Sequence, residues 1–210
     1  MQGVKHLKSH HYCLIAMGAN LPSATGTALY TLEKSLELFQ LESLQIIRIS
    51  KWFSTPAFPV DSGPDFVNGA VEVKTQLTPA EVLAALHRIE AVMGRTRDNR
   101  WEPRLCDLDL LNYDVEIKPD LETYQHWENL DSNSQRTLTP DQLILPHPRL
   151  QDRSFVLVPL NDIAPDWRHP VSGFTVSEML ASLPAAELAE IKEITVKHSP
   201  SGLAFPDNGA

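Results

Sequence analysis

The chain has 210 residues and a mass of 23.5 kDa, so we predict a single domain over residues 1–210, because single domains usually run to roughly 100–200 residues. Hydrophobic residues make up 42% and charged residues 21% of the chain, a composition that excludes a disordered, fibrous or membrane-spanning protein. The net charge of −9 disfavours a general nucleic-acid binder. Cys13 and Cys106 lie in apolar runs, which predicts buried reduced thiols. Because the chain shows neither a membrane-length apolar run nor a secretory segment at its start, we expect a cytoplasmic protein.

The first half of the chain carries alternating strand and helix patterns. The apolar run 12–17, which ends at Gly18, predicts a strand buried on both faces, and apolar residues at helical spacing over 27–40 predict an amphipathic helix. Residues 44–53 and 66–73 alternate apolar and polar side chains and predict two more strands. Thr78-Pro79-Ala80-Glu81 combines a capping threonine, a first-turn proline and a capping-box glutamate, which predicts a helix that begins at Thr78 and ends at Gly94. A fourth strand is predicted over 105–112.

The second half shows weaker patterns. Residues 114–142 hold seven acidic residues against two basic ones without a sustained period, so we interpret this segment as a surface insertion. Thr175 begins a second capping box and predicts a short helix before Pro184. The chain then continues as a C-terminal extension over 185–210, whose last dozen residues resemble a loose tail. The order strand, helix, strand, strand, helix, strand is typical of an α+β, ferredoxin-like split βαβ fold, a mostly antiparallel sheet with helices on one side.

Two aspartates in the fourth predicted strand are the first candidate functional residues. Asp107 and Asp109 are two residues apart, so their side chains share a face with α-carbons about 6.6 Å apart. Two carboxylates on one face repel each other unless a cation lies between them, and oxygen ligands favour Mg²⁺. A solvated face of an edge strand is the alternative.

An arginine-rich loop leads directly into that strand. Four arginines lie within residues 94–104 of an otherwise acidic protein, and the planar guanidinium binds phosphate oxygens through two hydrogen bonds. A solvated charged loop is the alternative for this segment alone. Together, the loop and the aspartates predict a phosphate-transfer site. The sequence contains no P-loop and no G-x-G-x-x-G after a strand, which excludes those two nucleotide sites.

Other candidate residues have weaker signals. Phe66 and Asn68 share the strand face opposite the valines, where an aromatic ring beside an amide suits a flat nitrogenous heterocycle; a core phenylalanine beside a solvated asparagine is the alternative. Glu90 lies on the buried stripe of its helix and needs a partner, either a basic side chain or a ligand. His147 lies between two prolines, as a turn histidine or as a donor to a phosphate.

Taken together, these residues resemble the family of 6-hydroxymethyl-7,8-dihydropterin pyrophosphokinases over about residues 12–163. The most specific part is the run R-W-x-P-R-x-x-D-L-D, which begins at Arg100. The other matching motifs occur in the family's order: Gly18-Ala19-Asn20-Leu21, Ser54-Thr55-Pro56, Asp65-Phe66-Val67-Asn68, Arg88-Ile89-Glu90, Gly94-Arg95, Pro146-His147-Pro148-Arg149-Leu150 and Arg153-Ser154-Phe155.

The resemblance implies transfer of an intact diphosphate from ATP to the hydroxymethyl oxygen of a dihydropterin, which gives AMP and the pterin diphosphate of folate biosynthesis. It implies that Asp107 and Asp109 bind two Mg²⁺ ions, and that Arg95 and Arg104 close over the reacting phosphates. The implied pterin-binding residues are Thr55, Pro56, Phe58, Phe66, Asn68 and Phe155. The implied ATP-binding residues are Glu90, Arg97, Trp101, Leu110, His147 and Arg153.

Two positions depart from the pattern of the bacterial members: Pro148 replaces an aromatic residue, and Phe66 replaces a tyrosine. Two other functions stay open. One is a different metal-dependent phosphoryl or nucleotidyl transferase, because aspartates and arginines specify a phosphate reaction better than they specify its acceptor. The other is a non-catalytic, ferredoxin-like RNA-binding module. We expect a monomer with small-molecule substrates, and neither nucleic acid nor membrane as a partner.

Overall fold

The computed structural model describes residues 9–22, 26–57, 63–94 and 105–195. Within these ranges, four strands and two helices form the part of the chain before Gly94, and the part after Leu105 is mostly helical. The strands are β1 (His11–Ala19), β2 (Gln45–Ile49), β3 (Phe53–Thr55), β4 (Phe66–Thr75), β5 (Asp107–Leu110) and β6 (Lys192–Glu193). The helices are α1 (Ala28–Leu41), α2 (Pro79–Val92), α3 (Leu121–Glu128), α4 (Ser132–Thr137), α5 (Ser154–Ile163), α6 (Val176–Ser182) and α7 (Ala185–Ala189).

The strands form one antiparallel sheet in the order β5-β1-β4-β3-β6, and β2 also pairs with β4. The central pair, β1 and β4, is in register from His11 opposite Thr75 to Ala19 opposite Val67. This α+β architecture confirms the predicted fold class. Cys13 and Cys106 are both buried and free, as predicted, and burial raises the pKa of the Cys13 thiol to about 12.

Helices cover both faces of the sheet, so the expectation of helices on one side is wrong. On one face, α1 and α2 pack against Ile15 and Val71. On the other face, α5 and α6 pack against Leu14 and Ala70. The physical reason is that β1 and β4 carry apolar side chains on both faces, and each face must be shielded from water.

The locally capped helices lie where the sequence predicts them. Thr78 caps α2 with both hydrogen bonds of a capping box, and Thr175 does the same for α6. Gly94, just beyond α2, has a positive φ of 93°, which an L side chain adopts only with strain.

The strand predicted over 44–53 is wrong in detail, because the chain leaves the sheet between β2 and β3. At that break, the hydroxyl of Ser50 accepts the N–H of Ala70 at 2.8 Å, and the N–H of Lys51 donates to a carboxylate oxygen of Asp162 at 2.7 Å. The N–H of Ser50 still donates to the main-chain oxygen of Ala70 at 2.9 Å, so side chains replace only some of the main-chain partners at this break. The strand predicted over 105–112 is also shorter, Asp107–Leu110.

The segments beyond β5 are more ordered than their patterns indicate. The insertion 114–142 contains α3 and α4, and Tyr124 of α3 is fully buried. The apolar helix α5 has no predicted counterpart. The extension 185–210 begins with α7 and β6, and β6 pairs with β3. The last dozen residues, predicted to be a loose tail, lie outside the described residues.

Candidate active site

The two aspartates of β5 project from one face of the sheet, as predicted. Leu108 and Leu110 alternate with them and are buried on the opposite face, in the core against α1 and α2. Asp107 and Asp109 therefore face the side that carries α5, and the Asp109 side chain is 37% exposed. Partial exposure leaves room for a bound ion and its substrate.

Glu90 of α2 supports this strand from the buried side. The residue is 1% exposed, and its Oε1 accepts the main-chain N–H of Leu108 at 2.9 Å. Because β5 is the edge strand, the N–H of Leu108 points away from β1 and needs an acceptor outside the sheet. The sequence correctly indicated that Glu90 needs a partner, but not that one partner would be a main-chain amide between the two aspartates.

A row of three residues crosses three strands on this face. Gly18 of β1 is paired with Asp107 of β5 on one side and with Asn68 of β4 on the other. Neighbouring strands are about 4.8 Å apart, so Asp107 and Asn68 are separated by about 10 Å. A Cβ atom on Gly18 would lie 3.3 Å from Oδ1 of Asn68, so glycine keeps the space between them open. We call this arrangement the Asp107–Gly18–Asn68 row.

The predicted acceptor residues lie at the β4 end of that row. Phe66 and Asn68 share the face that carries α5, as the alternation predicts. Asn68 is 5% exposed, and its amide nitrogen donates to the hydroxyl of Thr55 at 2.8 Å. Thr55 pairs with Phe66 across β3 and β4, and Pro56 follows it at the end of β3. The structure thus brings these four residues together.

The beginning of α5 lies next to the aspartates. Nη1 of Arg153, the N-cap residue of α5, is 3.7 Å from Oδ2 of Asp109. The guanidinium carbon of Arg153 also lies 5.6 Å from the ring centre of Phe155, whose side chain is exposed. The beginning of α5 therefore places a cation beside the Asp109 carboxylate and an aromatic ring beside that cation.

His147 presents a neutral ring with a defined tautomer. Its Nδ1 accepts the main-chain N–H of Arg149 at 3.2 Å, so the ring proton is assigned to Nε2. Burial lowers the pKa of His147 to about 4; Arg153 and Arg149 lower it further, and Asp109 opposes them. At neutral pH the Nε2–H is therefore a donor without charge.

Leu110 has its side chain in the core, so only its main chain could contact a ligand. The N–H of Leu111 bonds to Leu14 of β1, and that of Leu108 bonds to Glu90. By this alternation, the main-chain groups of Leu110 point away from the sheet. Five predicted site residues lie outside the described residues: Phe58, Arg95, Arg97, Trp101 and Arg104.

The donor set suits a hard divalent cation that substrate completes. Among the described residues, no group of three His, Cys, Asp or Glu side chains is placed to hold a metal ion. Asp107 and Asp109 would supply two carboxylates, and Mg²⁺ commonly takes one or two together with substrate phosphates. The residues present therefore fit Mg²⁺ brought with a polyphosphate.

A separate cavity of about 390 Å³ opens at the other end of β1. Tyr12, Asn112 and Trp167 contribute to its wall, and none of the candidate site residues does. The candidate site lies at the C-terminal end of β1 and is distinct from this cavity.

Paired carboxylates, a cation, a neutral imidazole donor and an aromatic and amide pair are groups suited to metal-dependent phosphate transfer. Comparison with known proteins identifies the family. The family model of 7,8-dihydro-6-hydroxymethylpterin-pyrophosphokinase (HPPK) matches residues 14–165. The chain belongs to this family, which confirms the resemblance found in the sequence.

Two curated relatives are named 2-amino-4-hydroxy-6-hydroxymethyldihydropteridine pyrophosphokinase. The protein of Synechocystis sp. is 34% identical over 171 residues, which cover 81% of this chain and 75% of the relative. The protein of Pseudomonas aeruginosa is 34% identical over 172 residues, which cover 81% of this chain and 90% of the relative. Both alignments span most of the two chains compared.

Among solved structures, Plasmodium falciparum HPPK-DHPS superposes with a TM-score of 0.64 at 17% identity. The superposition covers 91% of this chain and 49% of the Plasmodium chain, so this chain spans about half of that protein. The likeness confirms the fold. No helix among the described residues combines the length and hydrophobicity required to cross a membrane.

Proposed function

We infer that the protein transfers the intact diphosphate of ATP to the hydroxymethyl oxygen of 6-hydroxymethyl-7,8-dihydropterin, in folate biosynthesis. The hydroxyl oxygen attacks the β-phosphorus, the new oxygen–phosphorus bond forms, and the bond from the β-phosphorus to the oxygen retained by AMP breaks. The Asp107–Gly18–Asn68 row supports this proposal, because the Asp107 carboxylate, which we propose binds metal, and the Asn68 amide, which we propose binds the heterocycle, lie on one face of the sheet about 10 Å apart.

The carboxylates of Asp107 and Asp109 would bind Mg²⁺, for which we propose two ions. When bound, Mg²⁺ neutralises phosphate charge and acidifies the attacking hydroxyl. Glu90 keeps β5 in place through the N–H of Leu108, so both carboxylates stay on the reactive face.

On the ATP side, we propose that Arg153 and the Nε2–H of His147 bind phosphate oxygens. Both lie close to Asp109, and a neutral imidazole donates a hydrogen bond without competing with the metal for charge. The outward main chain of Leu110 suits the edge of a base. Roles for Glu90, Arg97 and Trp101 in ATP binding, and for Arg95 and Arg104 in catalysis, rest on the family resemblance.

On the pterin side, we propose that Phe66 and Phe155 stack on the ring while Asn68 pairs with its edge. The bond from Asn68 to Thr55 fixes the amide, so its oxygen is held toward Gly18 and the reacting group. Thr55, Pro56 and Phe58 would contribute main-chain contacts. Phe66→Ala should therefore weaken pterin binding by at least about fivefold, the equivalent of about 1 kcal/mol.

The test is to incubate the purified protein with Mg²⁺, ATP and hydroxymethyl-dihydropterin and to separate the products by chromatography. We expect AMP and pterin diphosphate in equal amounts. Formation of ADP would indicate transfer of one phosphate, and free pyrophosphate would indicate nucleotidyl transfer; either result would contradict the proposal. Salt-sensitive RNA binding without ATP turnover would support the non-catalytic alternative.

The monomeric state, the cytoplasmic location and the single domain over 1–210 stay predictions. Light scattering of the purified protein, with and without Mg-ATP, tests the first of them.

A further inference from the structure

The acidic insertion contacts the loop that carries His147 at three places. We define the His147 loop as residues 145–151. Lys118 and Leu145 exchange two main-chain hydrogen bonds of 2.8 and 3.1 Å, and the guanidinium of Arg149 donates to the main-chain oxygen of Gln135. The third contact, between Glu128 and Gln151, is made by side chains alone. The insertion therefore contacts the beginning, the middle and the end of the loop.

Glu128 stands at the centre of a directed hydrogen-bond chain. Nδ1 of His169 accepts the N–H groups of Val171 and Ser172, so its proton is on Nε2 and points at the Tyr124 hydroxyl, 3.1 Å away. The hydroxyl of Tyr124 then donates to Oε1 of Glu128 at 2.9 Å. His169 and Tyr124 are both buried, so Glu128 is held from the side of the insertion.

The side chain of Gln151 links Glu128 to the main chain of the His147 loop. Its amide nitrogen donates to Oε1 of Glu128 at 3.3 Å and to the main-chain oxygen of Pro148 at 3.1 Å. Two oxygen acceptors on one side fix the orientation of the amide, although its own Oε1 is buried and has no hydrogen-bond partner. The N–H of His147 donates to the main-chain oxygen of Leu111 at 2.7 Å, and the N–H of Arg149 holds the imidazole through Nδ1. Pro148 lies between these two residues, so a shift of Pro148 would move the N–H that holds the ring.

We propose that Glu128 is a positioning residue for ATP binding, which acts through Gln151 and Pro148 to aim the Nε2–H of His147. The proposal rests on the proposed function, since it takes His147 as a phosphate donor. It assigns a purpose to the insertion: α3 is the outer support of one side of the nucleotide site.

The test compares three variants of the full chain. Glu128→Ala removes the acceptor, Glu128→Gln keeps an oxygen acceptor but removes the charge, and Glu122→Ala removes an exposed acid from the same helix as a control. Titration calorimetry with Mg²⁺ and a non-hydrolysable ATP analogue should show about fivefold weaker binding for Glu128→Ala and less than twofold change for the other two. Pterin affinity should stay unchanged in all three.

Two further measurements separate positioning from general damage. Nitrogen NMR of the histidine rings should show one Nε2–H tautomer for His147 in the wild type and in Glu128→Gln, and a mixture in Glu128→Ala. Gln151→Leu removes both the link and the buried orphan oxygen, so it should weaken the ATP analogue while the Tm stays near that of the wild type.

Equal affinity of Glu128→Ala and wild type for the ATP analogue would overturn the proposal. So would equal losses in Glu128→Ala and Glu128→Gln, which would indicate a charge effect, or a matching loss of pterin affinity. These results are distinguishable from failure of the proposed function, in which the wild type itself forms no AMP with hydroxymethyl-dihydropterin.

Discussion

Replacing Glu90 by alanine tests how the metal-binding strand is held. The change leaves the N–H of Leu108 without the carboxylate that now accepts it at 2.9 Å. A hydrogen bond to a charged group contributes about 1.5–3 kcal/mol, and a buried methylene adds about 0.8 kcal/mol. We therefore expect Glu90→Ala to lower the free energy of unfolding by about 3 kcal/mol. For a chain of this size, that corresponds to a fall in Tm of roughly 6–12 °C.

Glu90→Gln is the matched variant, because its amide oxygen can still accept the N–H of Leu108. It should lose less than half as much stability, and the exposed Glu187→Ala should lose almost none. Urea unfolding of the three variants without Mg²⁺ measures these differences. The Mg²⁺ concentration needed for half-maximal AMP formation should rise in Glu90→Ala more than in Glu90→Gln.

The reasoning fails if Glu90→Ala unfolds within about 1 kcal/mol of the wild type, a difference typical of exposed sites. It also fails if the glutamine and alanine variants are equally unstable, since only one of them keeps an acceptor for the strand.

Three more changes probe other parts of the molecule. Asp109→Asn should remove most turnover while the Tm without Mg²⁺ stays near that of the wild type, because loss of the 3.7 Å pair with Arg153 offsets the relieved repulsion with Asp107; near-normal turnover would contradict the metal assignment. Gly18→Ala places a methyl group 3.3 Å from Oδ1 of Asn68 and should weaken pterin binding severalfold more than Mg-ATP binding in calorimetric titrations; equal losses would count against the row. Burial lowers the pKa of His169 from 6.5 to about 4, so its neutral form stabilises the fold fully above about pH 6.5, and this contribution is lost as the pH falls toward 4. Urea unfolding should show that lowering the pH from 6.5 to 4.5 costs His169→Gln less stability than it costs the wild type. Equal losses in the two proteins would show that His169 is not the source of this pH dependence.

The features that the sequence predicts well depend on neighbours along the chain. Alternation places Asp107 and Asp109 on one face, and capping residues mark the beginning of α2 and of α6, because each signal acts over a few residues. The family motifs place Thr55 and Asn68 at one site, and in the structure the Asn68 amide donates a hydrogen bond to the Thr55 hydroxyl.

The features that it misses depend on distant partners. The break after β2 requires the hydroxyl of Ser50 to take the N–H of Ala70, 20 residues away. The N–H of Leu108 finds Glu90 only because β5 lies at the sheet edge. Helix α5 buries Val156, Leu157, Leu160 and Ile163 at helical spacing, but the continuous apolar run that surrounds them and the internal Pro159 obscure this period in the sequence. Gly18 is visible in the sequence, but a glycine at the end of a strand indicates a turn as readily as it indicates space kept free between two neighbouring side chains.

The Asp107–Gly18–Asn68 row limits where this chain can gain or lose residues. Adding or deleting one residue inside β1, β4 or β5 would turn every later side chain of that strand to the opposite face, so a carboxylate would enter the core and a leucine would face the phosphates. A single substitution in these strands alters one side chain and can have a small effect, whereas a change in strand length moves all the later side chains of that strand at once. The acidic insertion and the C-terminal extension both follow Leu110, the last residue of β5. Residues added in those two segments do not change which side chains of β1, β4 and β5 face the site.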